Sequence, residues 1–269
     1  MAAASPPERS APRAPRPRWP YLIRQLAWAS LDLVFTPKCG GCNQLGSRLC
    51  AECWSSFQRL GPAVCAECGY PLGPTGVCAS GLQRAAPLMG LRSAVRFAGP
   101  LRQALHRLKY KRDIILADSL ARELARAWQV YALPAWTVLP VPLSAEGWQA
   151  RGYNQAALLA RGFADLARLP YQTEGLTRIR HTPSQVGLPA AARRVNVQGA
   201  FQANPARVSG RSFILVDDIC TTGATLAACA EALRLAGAAA IWGLTLGRVL
   251  PPADQGAGEH SEARPARAG

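Results

Sequence analysis

The stretch Phe213-Ile-Leu-Val-Asp-Asp-Ile-Cys-Thr-Thr-Gly-Ala-Thr225 restricts what this chain can fold into more than any other. Four apolar residues in a row suit a strand buried on both faces, as in a parallel sheet covered by helices above and below. Two carboxylates, Asp217 and Asp218, follow where that strand is expected to leave the sheet. A short Thr/Gly loop comes next, then a helix over Leu226–Leu235. A loop feeding a helix presents unpaired backbone N–H groups and the positive end of the helix dipole, which suits a phosphate. Gly223 lets the backbone approach closely or take a positive φ. Thr221, Thr222 and Thr225 add hydroxyl donors around Ala224. Acidic side chains just upstream would repel a phosphate, but they suit ribose hydroxyls and the oxygen shell of Mg²⁺. The order of these groups therefore predicts a sugar-phosphate site. It is not a Walker loop, because no Gly-Lys-Ser/Thr follows.

The same texture runs through most of the chain. Strands are expected at Leu91–Phe97, Thr137–Val141, Ser212–Val216 and Ala238–Leu246. Helices are expected at Gly99–Lys111, Ile114–Tyr131, Gly152–Leu169 and Gly223–Ala236. Strands separated by helices predict an α/β domain with a largely parallel sheet, here spanning residues 90–249. A helix and cysteine module precede it at 19–85. Residues 1–18 and 250–269, rich in Pro, Arg and Ala without periodicity, are expected to be disordered.

Seven of the nine cysteines lie between 39 and 78. No apolar run reaches the roughly 18 residues that span a bilayer, and Tyr21–Phe35 is interrupted by Arg24 and Asp32. The N-terminus lacks the pattern of a signal peptide. A cytoplasmic protein is expected, where clustered thiols point to metal and not to disulfides. Cys39-x2-Cys42-x7-Cys50-x2-Cys53 has the spacing of a structural tetrahedral Zn²⁺ site. Cys65-x2-Cys68 and Cys78 suggest a second one, but Gly81 stands where its fourth ligand is expected. Either that site lacks a ligand, or it is degenerate, or the knuckles interleave. Cys220 and Cys229 fall in the sheet domain as core or loop residues.

The formal charge is +15, almost all of it Arg, with Lys only at 38, 109 and 111. Such a field favours polyanionic partners. Lys38, Arg48, Trp54, Phe57 and Arg59 in the cysteine module suit either single-stranded nucleic acid or packing against the sheet domain. Trp19–Phe35 reads as an amphipathic helix, with Leu22, Ile23, Leu26, Leu31, Val34 and Phe35 near helical spacing. It suits either packing on the cysteine module or peripheral contact with a membrane.

Ile214–Thr225 resembles the motif by which type I phosphoribosyltransferases bind 5-phosphoribosyl-1-pyrophosphate (PRPP). Further stretches narrow the resemblance to the ComF family: Leu108-Lys-Tyr110, Pro140-Val-Pro142, Arg151-Gly-Tyr-Asn-Gln155, and the run from Arg180-His-Thr-Pro-Ser-Gln185 to Arg193-Arg-Val-Asn-Val-Gln-Gly-Ala-Phe201. The resemblance implies a phosphoribosyltransferase-like parallel sheet behind a zinc-ribbon module, covering about residues 36–248. It implies PRPP and Mg²⁺ at Asp217, Asp218 and the loop 221–225, and pyrophosphate at Pro142, Leu143 and Ser144 with Arg151 as a guanidinium clamp. A hood over Arg178–Asn196 would close with Arg180, Arg193 and Arg194. Asp217, Asp218, Arg151 and Arg180 are thus the expected catalytic set. His181 is a weak candidate base, and charge stabilisation of departing pyrophosphate can carry catalysis without one. The family association implies DNA uptake in natural competence, with single-stranded DNA and the uptake machinery as partners at the inner face of the membrane. A non-catalytic PRPP-sensing adaptor for nucleic acid and a nucleobase-salvage transferase are the alternatives.

Overall fold

A computed structural model of the chain describes residues 19–34, 36–73, 75–78, 87–180 and 196–250. The expected tails, the hood residues 181–195 with His181, Arg193 and Arg194, and Gly81 lie outside the described residues. In chain order the strands are β1 (Gly90–Arg96), β2 (Thr137–Pro140), β3 (Leu176–Arg178), β4 (Phe201–Ala203), β5 (Ser212–Cys220) and β6 (Ala240–Arg248). The helices are α1 (Trp19–Val34), α2 (Ala51–Ser55), α3 (Gly99–Tyr110), α4 (Leu116–Val130), α5 (Ala145–Arg151), α6 (Gln155–Ala167), α7 (Pro205–Val208) and α8 (Ala224–Leu235).

Four strands form one parallel sheet in the order β1-β6-β5-β2. The apolar run of β5 is buried on both faces, as expected, and its side chains alternate between two cores. Ile214 and Val216 join α3, α4 and α6 through Leu105, Leu120 and Phe163. Phe213 and Leu215 join α8 through Leu226, Ala230 and Leu233.

Three features differ from expectation. β5 does not stop at Val216 but runs on to Cys220, because β6 keeps pairing with it as far as Arg248. The helix expected over Gly152–Leu169 starts only at Gln155, behind Asn154, whose side chain caps it, and an unexpected helix, α5, precedes it and ends at Gly152, in the left-handed region at φ 77°. The chain at the two ends of the expected hood pairs as an antiparallel ribbon, β3 with β4.

The cysteine module lies along β1. The N–H of Arg96 donates to the carbonyl of Gln58 (2.8 Å) and that of Leu60 to Ala94 (2.9 Å), so the chain at 58–60 covers the edge of the sheet. α1 docks by its polar side: Arg24 donates to Asp118 (2.8 and 2.9 Å) and Asp165 (3.3 Å), and Gln25 to Asp118 (3.0 Å). Tyr21 is buried, whereas Trp19, Leu22, Ile23 and Leu26 are exposed. Of the two readings of this apolar face, packing on the cysteine module is not met by Leu22, Ile23 and Leu26, which face outward, and an ion pair between Arg48 and Asp32 ties α1 to the module. Phe35 and the side chains of Leu31 and Val34 lie outside the described residues. Among the described residues, no helix is long and apolar enough to cross a membrane.

Candidate phosphate site and cysteine clusters

β2 ends at Pro140, opposite Val216, while β5 continues for four residues to Cys220. Asp217 is therefore the first residue of β5 with no β2 partner beside it, at the carboxyl edge where parallel sheets bind ligands. The N–H of Asp218 donates to Asp217 Oδ1 (2.8 Å). Burial, and then the charge of Asp218, push the Asp217 carboxyl well above the usual carboxylate range, against the pull of Lys109. Asp218 is 5% exposed and its Oδ2 lies 2.6 Å from Lys109 Nζ.

The turn that follows has Thr221 exposed and Thr222 half-buried, and the Thr222 hydroxyl accepts the N–H of Ala224 (3.4 Å). Gly223 precedes α8 at φ 75°. A Cβ there would meet Leu91 at an ordinary 3.6 Å, so backbone conformation and not space calls for glycine. α8 is 12 residues long and starts directly behind this turn, while β2 has already ended beside β5.

The opposite wall is the chain after β2. The N–H of Val141 donates to Val216 (2.9 Å), Ser144 caps α5 by accepting the N–H of Gly147 (3.1 Å), and Asn154 Nδ2 donates to Val141 (2.9 Å). Asn154 thereby fixes the segment Pro142–Ser144 to the start of α6. Two of the family-like segments interlock: Tyr153 OH donates to the Leu108 carbonyl, and the Arg151 guanidinium lies 5.5 Å from the Tyr110 ring centre while donating to Gln155 (2.9 Å). Between them Lys109 reaches Asp218.

Sequence reasoning missed Lys109 as the partner of this acid pair. It also missed Arg178, which is half-buried over the Phe201 ring and within reach of the charges of Glu146 and Asp217. Arg180 donates to the carbonyls of Asn196 (3.1 Å) and Gln198. It thus ties together the two ends of the segment 181–195.

The cysteines sort into two groups: Cys39, Cys42, Cys50 and Cys53, and Cys65, Cys68 and Cys78, with the Sγ atoms of each group within 4.8 Å of one another. The knuckles are not interleaved. Burial opposes ionisation of Cys39, but N–H donors from Cys50, Cys42 and Gly41 outweigh it and bring the thiol down to about 6. Cys229 is in the core, and burial pushes Cys220 up to about 11, so both behave as neutral thiols. Several residues suited to nucleic acid serve packing instead. Phe57 is buried, Arg48 is paired with Asp32, and Arg59 donates to the buried Glu123 (2.7 and 2.9 Å) while lying over Trp54.

The double zinc ribbon domain matches residues 30–81. DNA utilization protein YhgH of Escherichia coli K12 is 34% identical over 203 residues, covering 72% of this chain and 87% of the relative. Competence protein F of Haemophilus influenzae is 34% identical over 155 residues, covering 54% and 67%. This chain belongs to the ComF family. Among solved structures, a glutamine PRPP amidotransferase of Bacillus subtilis is 25% identical, at a TM-score of 0.34, over 48% of the ComF chain and 25% of its own length. The chain spans about a quarter of that enzyme.

In this ComF-family chain the first cysteine group fits a structural zinc: four thiolates on two knuckles, with backbone N–H groups of Gly41 and Cys50 on Cys39 Sγ (3.4 and 3.3 Å). The second group supplies three.

Proposed function

We propose that this protein binds PRPP with Mg²⁺ at Asp217–Thr225 as a phosphoribosyltransferase, and that it works on single-stranded DNA during DNA uptake. The observation that carries the first part is the placing of two adjacent carboxylates and a positive-φ glycine at the end of a buried parallel strand, directly ahead of α8. Asp217 and Asp218 accept from the ribose hydroxyls. The N–H groups of residues 221–225 and the hydroxyls of Thr221, Thr222 and Thr225 hold the 5-phosphate. Pro142–Ser144 and Arg151 face the pyrophosphate; Arg151, now over Tyr110, has the planar fork that binds it bidentately. Mg²⁺, when bound, neutralises the pyrophosphate, and the two aspartates offer the oxygen donors that fit it. Transfer breaks the bond from ribose C1 to pyrophosphate oxygen, the electron pair leaving with the oxygen, as an acceptor atom bonds to C1.

The DNA part rests on the names of the relatives and on charge. Two clefts of about 460 and 630 Å³ run along α3 and share Gln103 and His106. The smaller reaches Lys109 and Ile219 beside the acid pair, and the larger reaches Lys38 and Lys111 beside the first cysteine group. Tyr110, exposed and 4.9 Å from the His106 ring, gives a base a surface to stack on.

The test has two arms. Mg²⁺-dependent release of pyrophosphate from PRPP is measured across acceptors, including nucleobases and single-stranded DNA. Binding without any release assigns a PRPP-sensing role, and absence of binding removes the proposal. Single-strand affinity is measured against salt for Lys38→Ala with Lys111→Ala and with Arg102→Ala, Arg102 lining the smaller cleft. With each single-strand phosphate contact contributing about 0.7 to the slope, the triple variant should lower it by about two.

A further inference from the structure

The region matched by the double zinc ribbon holds seven cysteines, one short of two four-thiolate sites. The shortfall falls beside Cys78, in the second group, whose Cys65–Cys68 knuckle is a copy of the first group's leading knuckle. In the first, the N–H of Cys39 donates to Gln44 (2.7 Å), that of Asn43 donates back to Cys39 (3.0 Å), and Asn43 sits at φ 67°. In the second, the N–H of Cys65 donates to Tyr70 (2.8 Å), that of Gly69 donates back to Cys65 (3.0 Å), and Gly69 sits at φ 66°. A short bridge flanks each, Lys38 with Leu45 and Val64 with Pro71. The second knuckle is therefore built to present two thiols to a metal.

Cys78 completes it to three, with its Sγ 3.5 Å from that of Cys68. No other Cys, His, Asp or Glu among the described residues joins the group, and the sequence Ala79-Ser-Gly-Leu-Gln-Arg-Ala-Ala86 contains none. Cys65 and Cys78 are half-exposed, so this side of the group is open to solvent.

Charge around the knuckle points the same way. Arg248 is fully buried; its Nη1 donates to the Cys68 carbonyl (3.0 Å), and its Nε and Nη2 have no hydrogen-bond partner among the described residues. Arg92 Nη1 donates to the Ala66 carbonyl (2.9 Å). A buried guanidinium without a counter-charge is costly. A divalent ion held by three thiolates carries one net negative charge, beside Arg248, which has no carboxylate partner among the described residues.

We propose that Cys65, Cys68 and Cys78 bind Zn²⁺ through three thiolates and leave its fourth position to an exchangeable ligand from solution, water or a low-molecular-weight thiol. Three protein ligands plus one open position distinguish accessible zinc sites from closed structural ones. The inference does not depend on PRPP binding, and its test leaves that reading untouched.

Full-length protein is reconstituted with excess Co²⁺, and the thiolate-to-metal charge-transfer band is followed while 2-mercaptoethanol is added. Two metals per chain are expected, one of which gains intensity as the added thiol binds while the other is silent. Cys78→Ser should lose the responsive metal only. Gly81→Cys, which restores the missing position, should abolish the response. Because outer-shell changes alone alter metal affinity by about 10–100-fold, it should also slow zinc release from that site to a chelator by about tenfold or more. One metal per chain, or two metals of which neither responds, overturns the proposal. The second case would mean that a residue outside the described segments, such as His181 or His260, fills the position. Should Gly81→Cys fail to fold, the wild-type titration decides alone.

Discussion

The seam between the cysteine module and the sheet and the carboxyl edge of that sheet are both crowded with charge, and they treat it in opposite ways. At the seam, buried carboxylates are surrounded by donors. Glu123, its side chain 1% exposed, takes Arg59 from one side and Arg126 from the other (2.7 and 2.8 Å). Arg107 joins Asp113 (2.7 Å) to the Cys39 carbonyl (2.9 Å), and Arg24 joins Asp118 to Asp165. At the edge, two carboxylates stand side by side; Asp218 has Lys109, and Asp217 is pushed toward its neutral form by burial and by its neighbour. Charge matched within the fold holds the fold together. Like charges forced together in a crevice mark a place where a ligand supplies what the protein withholds.

This contrast predicts that damage to the two regions separates stability from binding. The largest effect belongs to the first cysteine group. A structural zinc contributes on the order of 10–16 kcal/mol in isolated modules, so Cys53→Ser, which removes a buried ligand, should release that zinc and open residues 36–60 to proteolysis, read by metal analysis and mass spectrometry. Glu123→Gln comes next. Losing one partner of a buried pair costs about 3–5 kcal/mol, and the low end applies because both arginines reach solvent. About 3 kcal/mol corresponds to a melting point roughly 6–12 °C lower, and PRPP affinity of the folded protein should not change. Lys109→Met should do the reverse: about tenfold weaker PRPP binding, or about 1.4 kcal/mol, by calorimetry, because the acid pair then repels the incoming pyrophosphate. The smallest effect is Arg207→Ala, which breaks an exposed pair with Glu174 and should shift stability by less than about 0.5 kcal/mol and binding not at all. A Glu123→Gln protein that lost PRPP affinity, or a Lys109→Met protein that lost only stability, would erase the distinction.

The features legible in the sequence are those whose partners are close in the chain. The apolar run, the acids, the turn and α8 are consecutive, and so are the two knuckles that make the first cysteine group. What stayed hidden depends on distant segments. Nothing near Asp218 in sequence announces Lys109, which arrives on the last turn of α3 because Leu101, Leu105 and Leu108 face the core. The extension of β5 to Cys220 is set by the length of β6, and the role of Arg59 by Glu123 on α4. The break between α5 and α6 was present in the letters: Gly152 two residues before Asn154 is a helix stop followed by a helix start. The ribbon of β3 and β4 has three residues per strand, too few for alternation to register.

PRPP titrated calorimetrically in Mg²⁺ tests the acid pair and its turn most directly. The wild-type chain should bind one PRPP per site in a Mg²⁺-dependent manner, and Asp217→Asn with Asp218→Asn should bind on the order of a hundredfold more weakly or worse, while circular dichroism shows the same fold. Equal affinity in a correctly folded double variant would contradict the assignment.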